Sequence, residues 1–104
     1  ITLSQLVKYL CTEPCRMYGL YPRKGTLLPG SDADLVIFDP DKERVLTQRD
    51  MHSAVDYTCY EGMAVKGDID LVMQRGKVIV KDNEFLGTRG DGRYLKRAKS
   101  ALAK

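Results

Sequence analysis

EPCRMYGLYPRKGTLLPGSDADLVIFDP, residues 13–40, carries the change of pattern that decides the fold. Before it, Leu3, Leu6, Val7 and Leu10 recur at helical spacing and form one apolar stripe. Thr2 and Gln5 fit a capping box, so a helix starts there. Thr12 or Glu13 is expected to cap a second short helix with Pro14 in its first turn, interrupting the first. Met17, Tyr18 and Leu20 would be its buried side, and Gly19 its left-handed stop. From Tyr21 onward Pro22, Gly25, Pro29 and Gly30 cut the chain into turns and short strands. Pro29-Gly30 suits a type II turn. Ala33 to Phe38 has the length and apolarity of a strand covered on both faces.

Working outward, Arg44 to Thr47 reads as a further strand after an Asp39-Pro40-Asp41 turn, and residues 50–67 as a long ordered loop. Leu71–Gln74 and Lys77–Lys81 form a hairpin about Arg75-Gly76. Asp82-Asn83 then turns into a third strand, Glu84 to Leu86. Gly87, Gly90 and Gly92 mark a flexible connection, and Arg93 to Lys104 reads as a basic terminal helix.

The bulk numbers bound the answer. The chain has 104 residues, 43% of them apolar, which is one domain at most and too apolar for disorder. No apolar run approaches the roughly 20 residues of a membrane span. The first residue is Ile1 rather than Met, and the expectation is a processed or cut N-terminus. The net charge of +3 is uneven: residues 89–104 carry +5 and the rest −2. Only Tyr94 accompanies the basic tail residues, so a solvated helix face is expected there, and neither nucleic acid nor a membrane as partner.

Each chemically suggestive group has a plainer reading. Cys11, Cys15 and Cys59 cannot all pair, and with His52 they fall short of a convincing zinc set; reduced, buried cysteines are expected. Asp32 belongs to the turn, and Asp34 satisfies backbone donors at the start of a strand instead of holding a cation. The glycines lack the Lys-Ser/Thr pair of a phosphate loop. Tyr57, Tyr60 and Glu61 are expected to pack and hydrogen-bond the long loop against a part of the protein outside these 104 residues. No catalytic, substrate-binding or metal residue is assigned to this chain.

Gly25-Thr26-Leu27-Leu28-Pro29-Gly30-Ser31-Asp32-Ala33-Asp34-Leu35-Val36 resembles the β-sandwich segment near the C-terminus of amidohydrolases. Three stretches are similar to the dihydropyrimidinase/hydantoinase branch: residues 20–25, Val55 to Gly67, and Gly92-Arg93-Tyr94-Leu95-Lys96-Arg97. The resemblance runs from Thr2 to Arg97. It implies a parent with a (β/α)8 barrel and a flanking β-sandwich, and a cytoplasmic homotetramer. It also implies a zinc pair that activates water to open cyclic amides to N-carbamoyl amino acids, with every ligand upstream of Ile1. The expected architecture is thus an α+β fragment. Residues 1–20 are the edge helices of the barrel, 21–86 a sandwich portion with a long loop at 50–67, and 87–104 a glycine-rich connection and basic helix. Its partner is the remainder of its own chain. The dihydropyrimidinase-related scaffold proteins, which lack a working metal site, share the pattern but carry a longer tail, and the enzyme reading is preferred.

Overall fold

The computed structural model describes residues 1–100. Its elements run α1 (Leu3–Val7), a π-helical turn (Lys8–Thr12), α2 (Glu13–Met17), β1 (Leu35–Val45), a 3-10 turn (Gln48–Asp50), β2 (Ala64–Gln74), β3 (Lys77–Lys81) and β4 (Glu84–Phe85). They fall into two compact units. Among the described residues, one holds 1–35, 74–77 and 88–100, and the other 36–73 and 78–87.

In the first unit the capping box is present in both directions: Gln5 N–H donates to Thr2 Oγ1 at 3.2 Å, and Thr2 N–H to Gln5 Oε1 at 2.9 Å. Pro14 does not interrupt the helix, contrary to the expected pair. Helical backbone runs from Leu3 to Met17, and the π turn explains why. Glu13 N–H reaches back to Lys8 O, so the turn before Pro14 is wide, and the proline ring meets no tight α turn. Thr12 caps nothing; its hydroxyl donates to Gly25 O at 2.8 Å. Gly19 is the left-handed stop, at φ 71°. Leu20 N–H bonds Cys15 O at 2.8 Å and Gly19 N–H bonds Arg16 O at 3.4 Å, the two bonds of a Schellman motif. Met17 and Tyr18 are exposed, not buried, because no second layer lies over them among the described residues.

Pro29-Gly30 makes its turn, with Gly30 at φ 91° and Ser31 N–H on Leu28 O at 3.0 Å. The two short strands expected around Asp39-Pro40-Asp41 are one strand, β1. Pro40 is tolerated because β1 lies at the edge of the sheet, whose order is β1-β2-β3-β4. Asp39 Oδ1 takes the N–H groups of Asp41 (2.9 Å) and Lys42 (3.3 Å) there. Strand β2 begins at Ala64, inside the expected loop. Arg75 (φ 47°) and Gly76 (φ 79°) are both left-handed, as are Asp82 (49°) and Asn83 (64°), the signature of two-residue hairpins. Val80 pairs with Phe85 and Lys81 with Glu84, antiparallel.

The basic helix is absent from its described part. Residues 91–100 are irregular, and 101–104 lie outside the described residues. Ala98 N–H bonds Gly19 O at 2.8 Å, a donor that a helix would have spent on its own preceding turn.

No described side chain is fully buried. Val36, Ile37 and Phe38 are about half exposed, so β1 is not covered on both faces among the described residues. The helix stripe is open too, with Leu10 at 68%.

Candidate functional site

In the first unit, a polar cluster gathers where the Pro29-Gly30 turn and the Arg75-Gly76 turn present their ends. Lys24 Nζ pairs with Asp32 Oδ2 at 2.9 Å and with Asp34 Oδ2, and Arg23 Nε with Asp32 Oδ2 at 3.1 Å. Asp34 Oδ1 accepts the Arg75 backbone N–H at 2.8 Å. Arg75 in turn donates from its guanidinium to Asp91 O at 2.6 Å, and Lys77 Nζ pairs with Asp91 Oδ2 at 2.7 Å. These contacts hold Arg75 in a left-handed conformation that a long side chain rarely adopts.

The electrostatics follow from the geometry. Burial pushes the Asp34 carboxyl up, but Lys24 and the Arg75 N–H outweigh it and hold the group below the usual carboxylate range. Burial likewise opposes the charge on Lys24, and its two carboxylate partners raise it above an ordinary lysine. Lys24 chiefly keeps Asp32 low. Asp34 is therefore ionised and has donors on both oxygens at neutral pH. It has no proton to give as an acid, and a cation would have to displace Lys24. The backbone role read from sequence is right; its partner lies far along the chain, across the hairpin turn. Nothing in the sequence marks Lys24, which reads there as an ordinary surface base.

The second unit holds a concavity of about 700 Å³ lined by residues of the segment 47–61, including Arg49, Asp56, Tyr57 and Thr58. Two of its carboxylates, Asp50 and Glu61, serve the loop itself. Glu61 Oε2 accepts Gln48 N–H at 2.7 Å, and Asp50 Oδ2 accepts the Thr47 hydroxyl at 2.8 Å. Gln48 Nε2 donates to Val55 O at 2.6 Å. Glu61 thus hydrogen-bonds within the loop, and Tyr57 and Tyr60 stand exposed, at 71% and 53%, with none of the expected packing partners among the described residues. Nearby in the sheet, Lys42 and Arg44 converge on Asp68 at 3.0 and 3.3 Å, tying β1 to β2.

His52 is exposed, with its ring tilted against Phe85 at 6.2 Å between centroids. Cys11 and Cys59 are exposed and Cys15 is half-buried, so the expected burial of the cysteines does not hold; all three are free thiols. Among the described residues no group of three or more His, Cys, Asp or Glu side chains could hold a metal ion. The residues present do not fit the zinc pair that the resemblance implies. Among the described residues, no helix is long and apolar enough to cross a membrane.

Helical residues leading through a Gly/Pro-punctuated seam into an antiparallel meander match a known family. Residues 1–79 match the model of the amidohydrolase family, and the chain belongs to that family. Within it, the similarity is to hydantoinases and dihydropyrimidinases. The chain is 50% identical over 99 residues to a D-hydantoinase of Geobacillus stearothermophilus, covering 95% of this chain and 21% of that protein. It is 48% identical over 99 residues to a D-hydantoinase of Ralstonia pickettii, covering 95% and 22%. The crystal structure of dihydropyrimidinase from Brevibacillus agri superposes with a TM-score of 0.90 at 42% identity, over 99% of this chain and 22% of that one. The chain therefore spans about a fifth of the length of these relatives.

Proposed function

We propose that this chain is the C-terminal segment of a zinc-dependent hydrolase that opens dihydropyrimidine or hydantoin rings to N-carbamoyl amino acids. The observation that carries the reading is 48–50% identity over 99 residues to enzymes named D-hydantoinase. In this reading the zinc pair and all its ligands lie on the rest of the parent. Residues 1–20 edge its barrel, 21–86 are part of its β-sandwich, and 87–104 connect to neighbouring subunits of a cytoplasmic homotetramer. No residue of the chain is catalytic, substrate-binding or metal-ligating.

The exposed apolar surface supports a structural role. Leu3, Leu6, Val7, Leu10, Val36, Ile37 and Phe38 are all between 40% and 68% exposed. Covering a side chain of this size is worth about 1.5–3 kcal/mol when complete, and several together match the whole stability of a small domain. Such a surface belongs against the remainder of the chain.

The test is to purify the full-length parent and follow ring opening of dihydrouracil and hydantoin by chromatographic detection of the N-carbamoyl product, with metal analysis of the same sample. Turnover with bound zinc is expected. A fully folded parent that carries zinc and opens neither ring would refute the assignment.

A further inference from the structure

Two cysteines left over by the proposed function share one face of the N-terminal helix. Cys11 and Cys15 are four apart on helical backbone that the π turn keeps continuous past Pro14. Positions four apart on a helix lie about 5–6 Å apart at Cβ. In an α-helix of 3.6 residues per turn the second overshoots the first by about 40°. The wider π turn that contains Cys11 rotates less per residue and takes back part of that overshoot.

Gly25 packs on the same spot. A side-chain carbon there would stand 3.0 Å from Cys15 Sγ and 2.9 Å from Cys11 O. Only a residue without a side chain can pack this closely, so the Gly25 backbone lies directly against the Cys15 side chain and the Cys11 carbonyl. Burial raises the Cys15 thiol and the Cys11 thiol raises it further, as befits two sulfurs within electrostatic reach of each other.

We propose that Cys11 and Cys15 form a preorganised dithiol site for a thiophilic metalloid, with trivalent arsenic bridging both sulfurs. Zinc in a structural site wants four ligands, which the described residues do not gather. An arylarsenic(III) centre needs only two thiols, and soft thiolate ligands suit it. With phenylarsine oxide the step balances without redox change. Two As–S bonds form, the As–O bond breaks, and the oxygen leaves as water with the two thiol protons.

The experiment uses the full-length, natively folded protein and phenylarsine oxide as the probe. Native mass spectrometry is expected to show an adduct that is lost in Cys11→Ala and in Cys15→Ala and retained in Cys59→Ala. Each of the first two substitutions should weaken binding by about a hundredfold, the gain expected from joining two binding events. The unsubstituted protein gives an independent reading: the arsenical should protect Cys11 and Cys15, but not Cys59, from alkylation by iodoacetamide. Binding should also weaken when the protein is unfolded in urea, because the helix sets the sulfur spacing. Absence of the adduct, its survival in either variant, its dependence on Cys59, or equal binding in urea would each overturn the site.

Discussion

Removing the Asp34 carboxylate should loosen the hairpin turn at Arg75-Gly76 in a way that hydrogen exchange can see. Asp34 makes two different contacts, one to the Lys24 ammonium and one to the Arg75 backbone N–H at 2.8 Å. The side chain is 35% exposed, so the ion pair is partly screened, and Lys24 keeps Asp32 at 2.9 Å without it. Its loss is worth about 0.2–1 kcal/mol. A hydrogen bond to a charged acceptor is worth about 1.5–3 kcal/mol, taken here near the lower end because the site is wet. Asp34→Asn, which keeps an oxygen for the Arg75 N–H, should cost about 0.5–1 kcal/mol, and Asp34→Ala about 2 kcal/mol. Arg75 then loses the contact that fixes its left-handed backbone. Exchange on peptides spanning residues 72–78 of the full-length protein, with and without each substitution, is the assay. Faster exchange in Asp34→Ala, with Asp34→Asn between it and the unsubstituted protein, is expected. Unchanged protection in Asp34→Ala would refute the claim that the carboxylate anchors the turn.

Three further outcomes follow from the same contacts. Gly19→Ala places a carbon 2.1 Å from Ala98 O at φ 71°, so about 1–3 kcal/mol of strain should release residues 93–100 and speed tryptic cleavage at Arg93, Lys96 and Arg97. Thr2→Ala breaks the capping box and should cost about 1 kcal/mol, read as faster exchange across Leu3–Val7. Asp34, Asp68 and Asp91 are all held below the usual carboxylate range, so the unfolded chain takes up protons first as pH falls. Their contribution to stability is therefore complete above about pH 5 and lost as acid takes the pH below about 4, which denaturant titration across that range measures.

What the sequence made legible was local chemistry. Thr2 and Gln5, Gly19, Pro29-Gly30, Arg75-Gly76 and Asp82-Asn83 each act through the conformation or hydrogen bonds of their own few residues, and each sits where the pattern puts it. The misreadings share a different cause. Pro14 and Pro40 both look like breaks, and each is tolerated because of something the local pattern does not show: a widened turn before Pro14, and a free sheet edge at Pro40. Residues 93–100 have helical composition, yet Ala98 gives its N–H to Gly19, almost eighty positions away. Met17, Tyr18 and the cysteines are more exposed than their sequence pattern implies, because apolar residues reveal a face that wants cover, not where the cover comes from. At the polar cluster, Asp34 was legible through its place at the start of a strand. Lys24 was not, since a single lysine beside an arginine carries no pattern.

The central claim is that this segment supports a metal hydrolase without contributing a ligand to it. The most direct test is zinc content and ring-opening kcat of the full-length protein, compared with a His52→Ala/Cys59→Ala double variant that removes the only imidazole of the chain and its one thiol outside the helix. The account predicts the same zinc content and the same kcat in both. Loss of bound zinc together with activity in the double variant would place a ligand in this segment and contradict it.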